Sequence, residues 1–153
     1  MSKPKALHFN IPQLTHHLVS ASKSYHVWAR GTGKTTGVLS VFYLENARLM
    51  PRGQHGIVGA TFQQLLVRTL PPIIQMWNKM GYHEGQHFVF GREPSEKFKR
   101  MWKWEAPRTK PLDSKYAIYW FNGACNVLIS QDRAGSSNGL SLASLGGDEA
   151  KLL

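Results

Sequence analysis

The stretch Ala29-Arg30-Gly31-Thr32-Gly33-Lys34-Thr35-Thr36 governs the reading of everything around it. The glycines at 31 and 33 let the backbone turn tightly, so that successive N–H groups point inward at an anion. A helix opening at Lys34 adds the positive end of its dipole. Lys34 is then placed to reach the β- and γ-phosphates of a nucleotide, and the Thr35 hydroxyl to ligate magnesium. Such a loop needs a strand before it and a helix behind it. Tyr25-His26-Val27-Trp28-Ala29 is short, aromatic and β-branched, and reads as a buried strand. Val38, Leu39, Val41, Phe42 and Leu44 make the following segment a helix apolar over much of its surface, which belongs against a sheet. Pro51 and Gly53 stop it. The full pattern G-x-x-x-x-G-K-[ST] wants glycine where this chain has Trp28.

Outward from the loop, residues 11–20 are mildly apolar and predict a helix. Gly56-Ile57-Val58-Gly59-Ala60 predicts a second core strand, and Thr61 an N-cap with Gln64 at the capping-box position. The helix that follows runs toward Leu70, where Pro71-Pro72 is expected to break or kink it. Ile73, Ile74, Trp77 and Met80 continue one apolar face up to a stop at Gly81. Residues 87–90 suggest a short strand. Residues 116–121 and 124–130 flank Asn122-Gly123, a pair that predicts a hairpin with a type I′ turn. This alternation of strands and helices implies an α/β fold with a largely parallel central sheet flanked by helices, plus the hairpin.

Composition narrows the function classes. The chain has 153 residues, enough for one domain with a real core, and 42% of them are hydrophobic. No apolar run is long enough to span a bilayer, and Lys3 and Lys5 are not followed by a signal-like stretch, so no membrane partner is expected. Cys125 is the only cysteine, which rules out an intrachain disulfide. No His/Cys/Asp/Glu spacing resembles a zinc site. The formal net charge of +10 makes a polyanion the expected partner.

Residues 91–115 form a basic aromatic insertion. Lys97, Lys99, Arg100 and Lys103 interleave with Phe98, Trp102 and Trp104. Cations of that kind neutralise phosphates, and aromatic faces stack on bases. Contact with DNA, contact with a neighbouring subunit, and plain packing of Lys and Arg stems over Trp rings all remain open for it.

A phosphate loop that begins with a small residue and Arg30, then reads G-x-G-K-T-T, resembles the Walker A segment of phage and herpesvirus large terminase subunits. Gly56 to Gln64 is similar to the strand and helix start that follow this loop in the family. Ser130-Gln131-Asp132-Arg133-Ala134-Gly135-Ser136-Ser137-Asn138-Gly139-Leu140-Ser141 is similar to the polar loop that leads to Walker B, and Asp148-Glu149-Ala150 to the end of Walker B itself. The resemblance covers residues 10–153. It implies a P-loop NTPase fold and a single ATPase domain over residues 1–153 that is the N-terminal part of a longer protein. It also implies that ATP hydrolysis drives double-stranded DNA into a capsid, with ATP and Mg2+ as cofactors. Lys34, Thr35 and their neighbours Arg30, Gly31, Thr32, Gly33 and Thr36 would bind nucleotide, with Thr35 and Asp148 on the metal. Glu149 would be the general base and Arg30 a catalytic cation on the γ-phosphate. Gln13 would read adenine. The partners implied are a homo-oligomeric ring, a portal and a small terminase subunit, in the host cytoplasm and docked transiently on the procapsid. Two departures stand out: Leu142-Ala143-Ser144-Leu145-Gly146-Gly147 is poor in β-branched residues for a Walker B strand, and no coupling segment or nuclease cluster follows Asp148-Glu149. Another P-loop motor such as a helicase, or a non-hydrolysing nucleotide-responsive DNA-binding or assembly module, are the other readings.

Overall fold

The middle strands of the sheet are buried at nearly every residue and the helices bury one side, which builds one sheet with its main core on a single face. The computed structural model describes residues 7–18, 23–24, 33–133 and 139–148. The predicted strand 25–29 and the loop residues Arg30, Gly31 and Thr32 lie outside them, as do residues 134–138 and Glu149. Helix α1 is Ile11–Leu18. A π-helical stretch, Lys34–Leu39, leads into α2, Ser40–Leu49. Strand β1 is Gln54–Gly59. Helix α3, Phe62–Gln64, passes through a second π stretch, Leu65–Thr69, into α4, Leu70–Lys79. Strand β2, Phe88–Phe90, and helix α5, Glu96–Trp102, follow. A 3-10 turn at Ser114–Tyr116 precedes β3, Ala117–Trp120, then β4, Cys125–Ser130, and β5, Ser144–Gly147.

The strand order is β2-β3-β4-β1-β5. Strand β1 pairs in parallel with both β4 and β5, whereas β2–β3 and β3–β4 are antiparallel. The described sheet is therefore mixed rather than largely parallel, because the β3–β4 hairpin and the edge strand β2 each add an antiparallel pairing. Side chains in register across parallel strands share a face. Ile57, Leu128, Ile118, Trp120 and Phe88 fill the main core with Leu39 and Leu65 of the two π stretches, Tyr43, Leu44 and Ala47 of α2, and Leu70, Ile73 and Trp77 of α4. Trp77 packs edge-on to Trp120, with ring centroids 4.7 Å apart, and donates its indole N–H to the Ser40 carbonyl at 2.8 Å. The opposite face carries Ala117, Tyr119 and Cys125 under Trp104. Burial there pushes the Cys125 thiol up to about 12, so it packs as a small apolar group and not as a nucleophile.

Two local expectations are corrected. Pro71 and Pro72 do not break the helix. Neither can donate a backbone hydrogen bond, and each ring crowds the carbonyl four residues earlier. The chain meets this with the wider π register over Leu65–Thr69, just before the prolines, and continues as α4. The hairpin is not closed by a two-residue type I′ turn. Tyr119 faces Cys125, and Trp120 N–H reaches the Ala124 carbonyl at 2.8 Å, which leaves Phe121, Asn122 and Gly123 as a three-residue loop. Gly123 alone takes a positive φ, 82°. Asn122 works through its side chain, accepting from Ala124 N–H at 3.1 Å and donating to the Ala47 carbonyl at 2.7 Å, which ties the hairpin to α2. Elsewhere the N-cap expectation holds: the Thr61 hydroxyl accepts from Gln64 N–H at 3.0 Å. Among the described residues, no helix is long and apolar enough to cross a membrane.

Candidate functional site

Because β1, β4 and β5 run parallel, their C-terminal ends meet at one edge of the sheet, where α/β proteins commonly bind ligands. The chain leaves that edge through Ala60, Gln131 and Asp148. Gln131 N–H and Asp132 N–H donate to the carbonyls of Gly59 and Ala60, at 3.0 and 3.1 Å, so the two strand exits are laced together. Ser130 Oγ also hydrogen-bonds the Asp132 carboxylate. Beside them Phe62 stacks on Tyr116, with centroids 4.1 Å apart, and the Arg133 guanidinium lies 5.1 Å from the Phe62 ring centre.

The segment opened by Lys34 arrives at this same edge. Gly33 precedes it at φ 73°, a left-handed conformation that favours glycine. Thr35 Oγ1 donates to Asp148 Oδ2 at 2.5 Å, and Lys34 Nζ stands 3.8 Å from Asp148 Oδ1. Two residues far upstream and one near the other end of the chain are thus gathered into an ammonium, a hydroxyl and a carboxylate. The Asp148 side chain is only 16% exposed, so its charge needs those partners. A hard-oxygen pair from Thr35 and Asp148 with a cation alongside is the donor set that suits a magnesium ion and phosphate oxygens. On the residues described, the arrangement fits a magnesium-bound nucleotide. Arg30, Gly31, Thr32 and Glu149 lie outside those residues.

Strand β5 exists despite its weak strand propensity, and Gly146 explains how. A Cβ there would lie 2.8 Å from ring carbons of both Phe42 and Tyr43. Only a bare backbone lets β5 settle against α2, and that settling brings Asp148 down to Thr35. Buried His55 on β1 holds the other end of β5, with its Nδ1 2.8 Å from Ser144 Oγ. Its own burial holds the imidazole pKa below the ordinary histidine value, against an opposing contribution from the Met50 backbone.

Helix α1 leans on the same loop. Asn10 and Gln13 form a reciprocal capping pair: Gln13 N–H donates to Asn10 Oδ1 at 3.0 Å, and Asn10 N–H to Gln13 Oε1 at 2.9 Å. The Gln13 amide nitrogen donates to the Gly33 carbonyl at 2.8 Å, and a Cβ on Gly33 or Gly37 would collide with that amide. His17 Nε2 is 2.8 Å from the Gly37 carbonyl. Gln13 is buried against the loop. Thr36 caps back onto the Gly33 carbonyl at 3.3 Å.

The basic insertion divides its labour. Phe98 is buried, Trp102 donates its indole N–H to the Gln86 carbonyl at 2.6 Å, and Trp104 donates to the Trp120 carbonyl at 2.9 Å. The rings are therefore engaged in packing. Lys97, Arg100 and Lys103 point to solvent, while Lys99 pairs with Glu96 at 3.0 Å. Trp120 lies beside the start of β4, so the chain just after α5 is anchored at the far end of the sheet from Asp148.

Sequence reading missed Tyr43, whose hydroxyl is buried beside β5, and His17 against Gly37. Tyr43 sits in the apolar run Val41, Phe42 and Leu44, where a phenol tip that must find a partner is the signal available. Comparison with protein-family models, with curated proteins and with solved structures finds no match for this chain.

Proposed function

We propose that this chain is a P-loop ATPase unit of a viral DNA-packaging motor, of the large terminase kind. The observation that carries the reading is the convergence of Lys34, Thr35 and Asp148, with the Thr35–Asp148 hydrogen bond at 2.5 Å. In this reading Lys34 would meet the charge of the β- and γ-phosphates, while Thr35 and Asp148 would hold magnesium. Bound magnesium supplies Lewis-acid charge on the phosphate oxygens. Gly31, Thr32, Gly33 and Thr36 line the phosphates, Gln13 contacts adenine, and Arg30 meets the developing charge. Glu149 follows Asp148 directly and takes the proton of the attacking water. The net charge of +10 and the solvent-facing Lys97, Arg100 and Lys103 support double-stranded DNA as the polyanion moved.

Phosphate release measured with linear double-stranded DNA tests this. Magnesium-dependent release that DNA stimulates, and that Glu149→Gln abolishes while ATP binding survives, is the expected result. Release indifferent to Glu149→Gln would overturn the base assignment. Strand separation by the wild-type protein would transfer the chain to the helicases.

A further inference from the structure

Tyr43 is fully buried, yet its hydroxyl makes no hydrogen bond. Buried polar groups are almost always paired, and an unpaired one calls for a reason. The phenol lies against β5: a Cβ on Gly146 would be 3.0 Å from the hydroxyl and 2.8 Å from a ring carbon. Asp148 follows two residues later, in the bend that ends β5, close enough for its charge to act on the phenol. Burial first, and the Asp148 charge second, hold the phenol protonated far above its ordinary range.

We propose that Tyr43 is a positioning residue for Asp148, its hydroxyl donating to the carboxylate from the core side once Lys34 and Thr35 engage a magnesium-bound nucleotide. The inference rests on the reading of the site given above. In the described structure Thr35 and Lys34 serve the Asp148 carboxylate. Phosphate and metal compete for both. A carboxylate that shares its hydroxyl donor and its cation with a ligand is held in orientation better by a further donor on its core side. The Tyr43 hydroxyl is already dehydrated, is carried on the helix that Lys34 opens, and stands unpaired behind β5.

Tyr43→Phe tests this with two readouts. Thermal unfolding without ligand should be unchanged or shifted upward, because the variant removes an unpaired buried hydroxyl. Calorimetry should show ADP binding in the presence of magnesium weakened by about tenfold, as is usual for losing an outer partner of a metal-site ligand. ADP binding in the presence of a chelator should be unchanged. Equal magnesium-ADP affinity in variant and wild type would overturn the role of Tyr43 and leave the site standing. So would equal weakening with and without magnesium, or lowered ligand-free stability with unaltered binding. A wild-type protein whose ADP binding does not depend on magnesium would overturn the site and this inference together.

Discussion

Gly146 and Asp148 show how a residue can be legible as chemistry and illegible as structure. Asp148 is recognisable from its place before Glu149. The strand that delivers it, Ser144–Gly147, has no β-branched residue and two glycines, which reads as a loop by propensity. The reason lies in a contact that sequence does not display: the rings of Phe42 and Tyr43 occupy the space a Cβ at 146 would take. Gly146→Ala should therefore overpack a buried aromatic pair and cost about 1–3 kcal/mol of stability. Denaturant unfolding measures this, and binding of magnesium-ADP should weaken in parallel because Asp148 moves with β5. Unchanged stability would mean that the rings yield freely and that β5 is not seated by them.

Among the elements, those set by local chemistry were readable and those set by long-range fit were not. The helix behind Lys34, strand β1 and the Thr61 cap follow from apolar runs and a side chain that satisfies a free N–H. The hairpin was readable as a hairpin from Asn122-Gly123, but its turn type was not. Loop length is fixed by register, and pairing Tyr119 with Cys125 leaves three residues to close it. The π stretch before Pro71 was equally hidden, since prolines forbid the ordinary helix without saying what replaces it. Gly123 combines the positive φ with a second constraint, for a Cβ there would collide with the Glu105 carbonyl. Gly123→Ala should destabilise the fold by roughly 1–3 kcal/mol, the range for strain held at a left-handed position. A melting temperature equal to wild type would show that the turn readjusts. The hairpin also reaches α2 through Asn122 and Ala47, so the loss should be global and cooperative, not confined to the sheet edge.

At the scale of the molecule, the parallel strands β4-β1-β5 gather the candidate site at one end, and the basic helix α5 leads into a segment anchored at the other. The charge balance was legible from sequence, whereas the fate of the aromatics was not: Phe98, Trp102 and Trp104 are engaged inside the fold. DNA binding should accordingly be electrostatic and indifferent to sequence, with log K falling by roughly 0.9 per unit of log salt for each phosphate neutralised. Neutralising Lys97, Lys99, Arg100 and Lys103 together should flatten that slope in a fluorescence-anisotropy titration, and an unchanged slope would move the footprint elsewhere. The central claim, that Lys34, Thr35 and Asp148 form a nucleotide-phosphate site, is tested most directly by calorimetric titration of wild type and Lys34→Ala with magnesium-ATP. The account predicts binding by the wild type and a loss of roughly 2–5 kcal/mol in the variant, the cost of removing one partner of a desolvated charge pair. Equal affinity in the two proteins would contradict it.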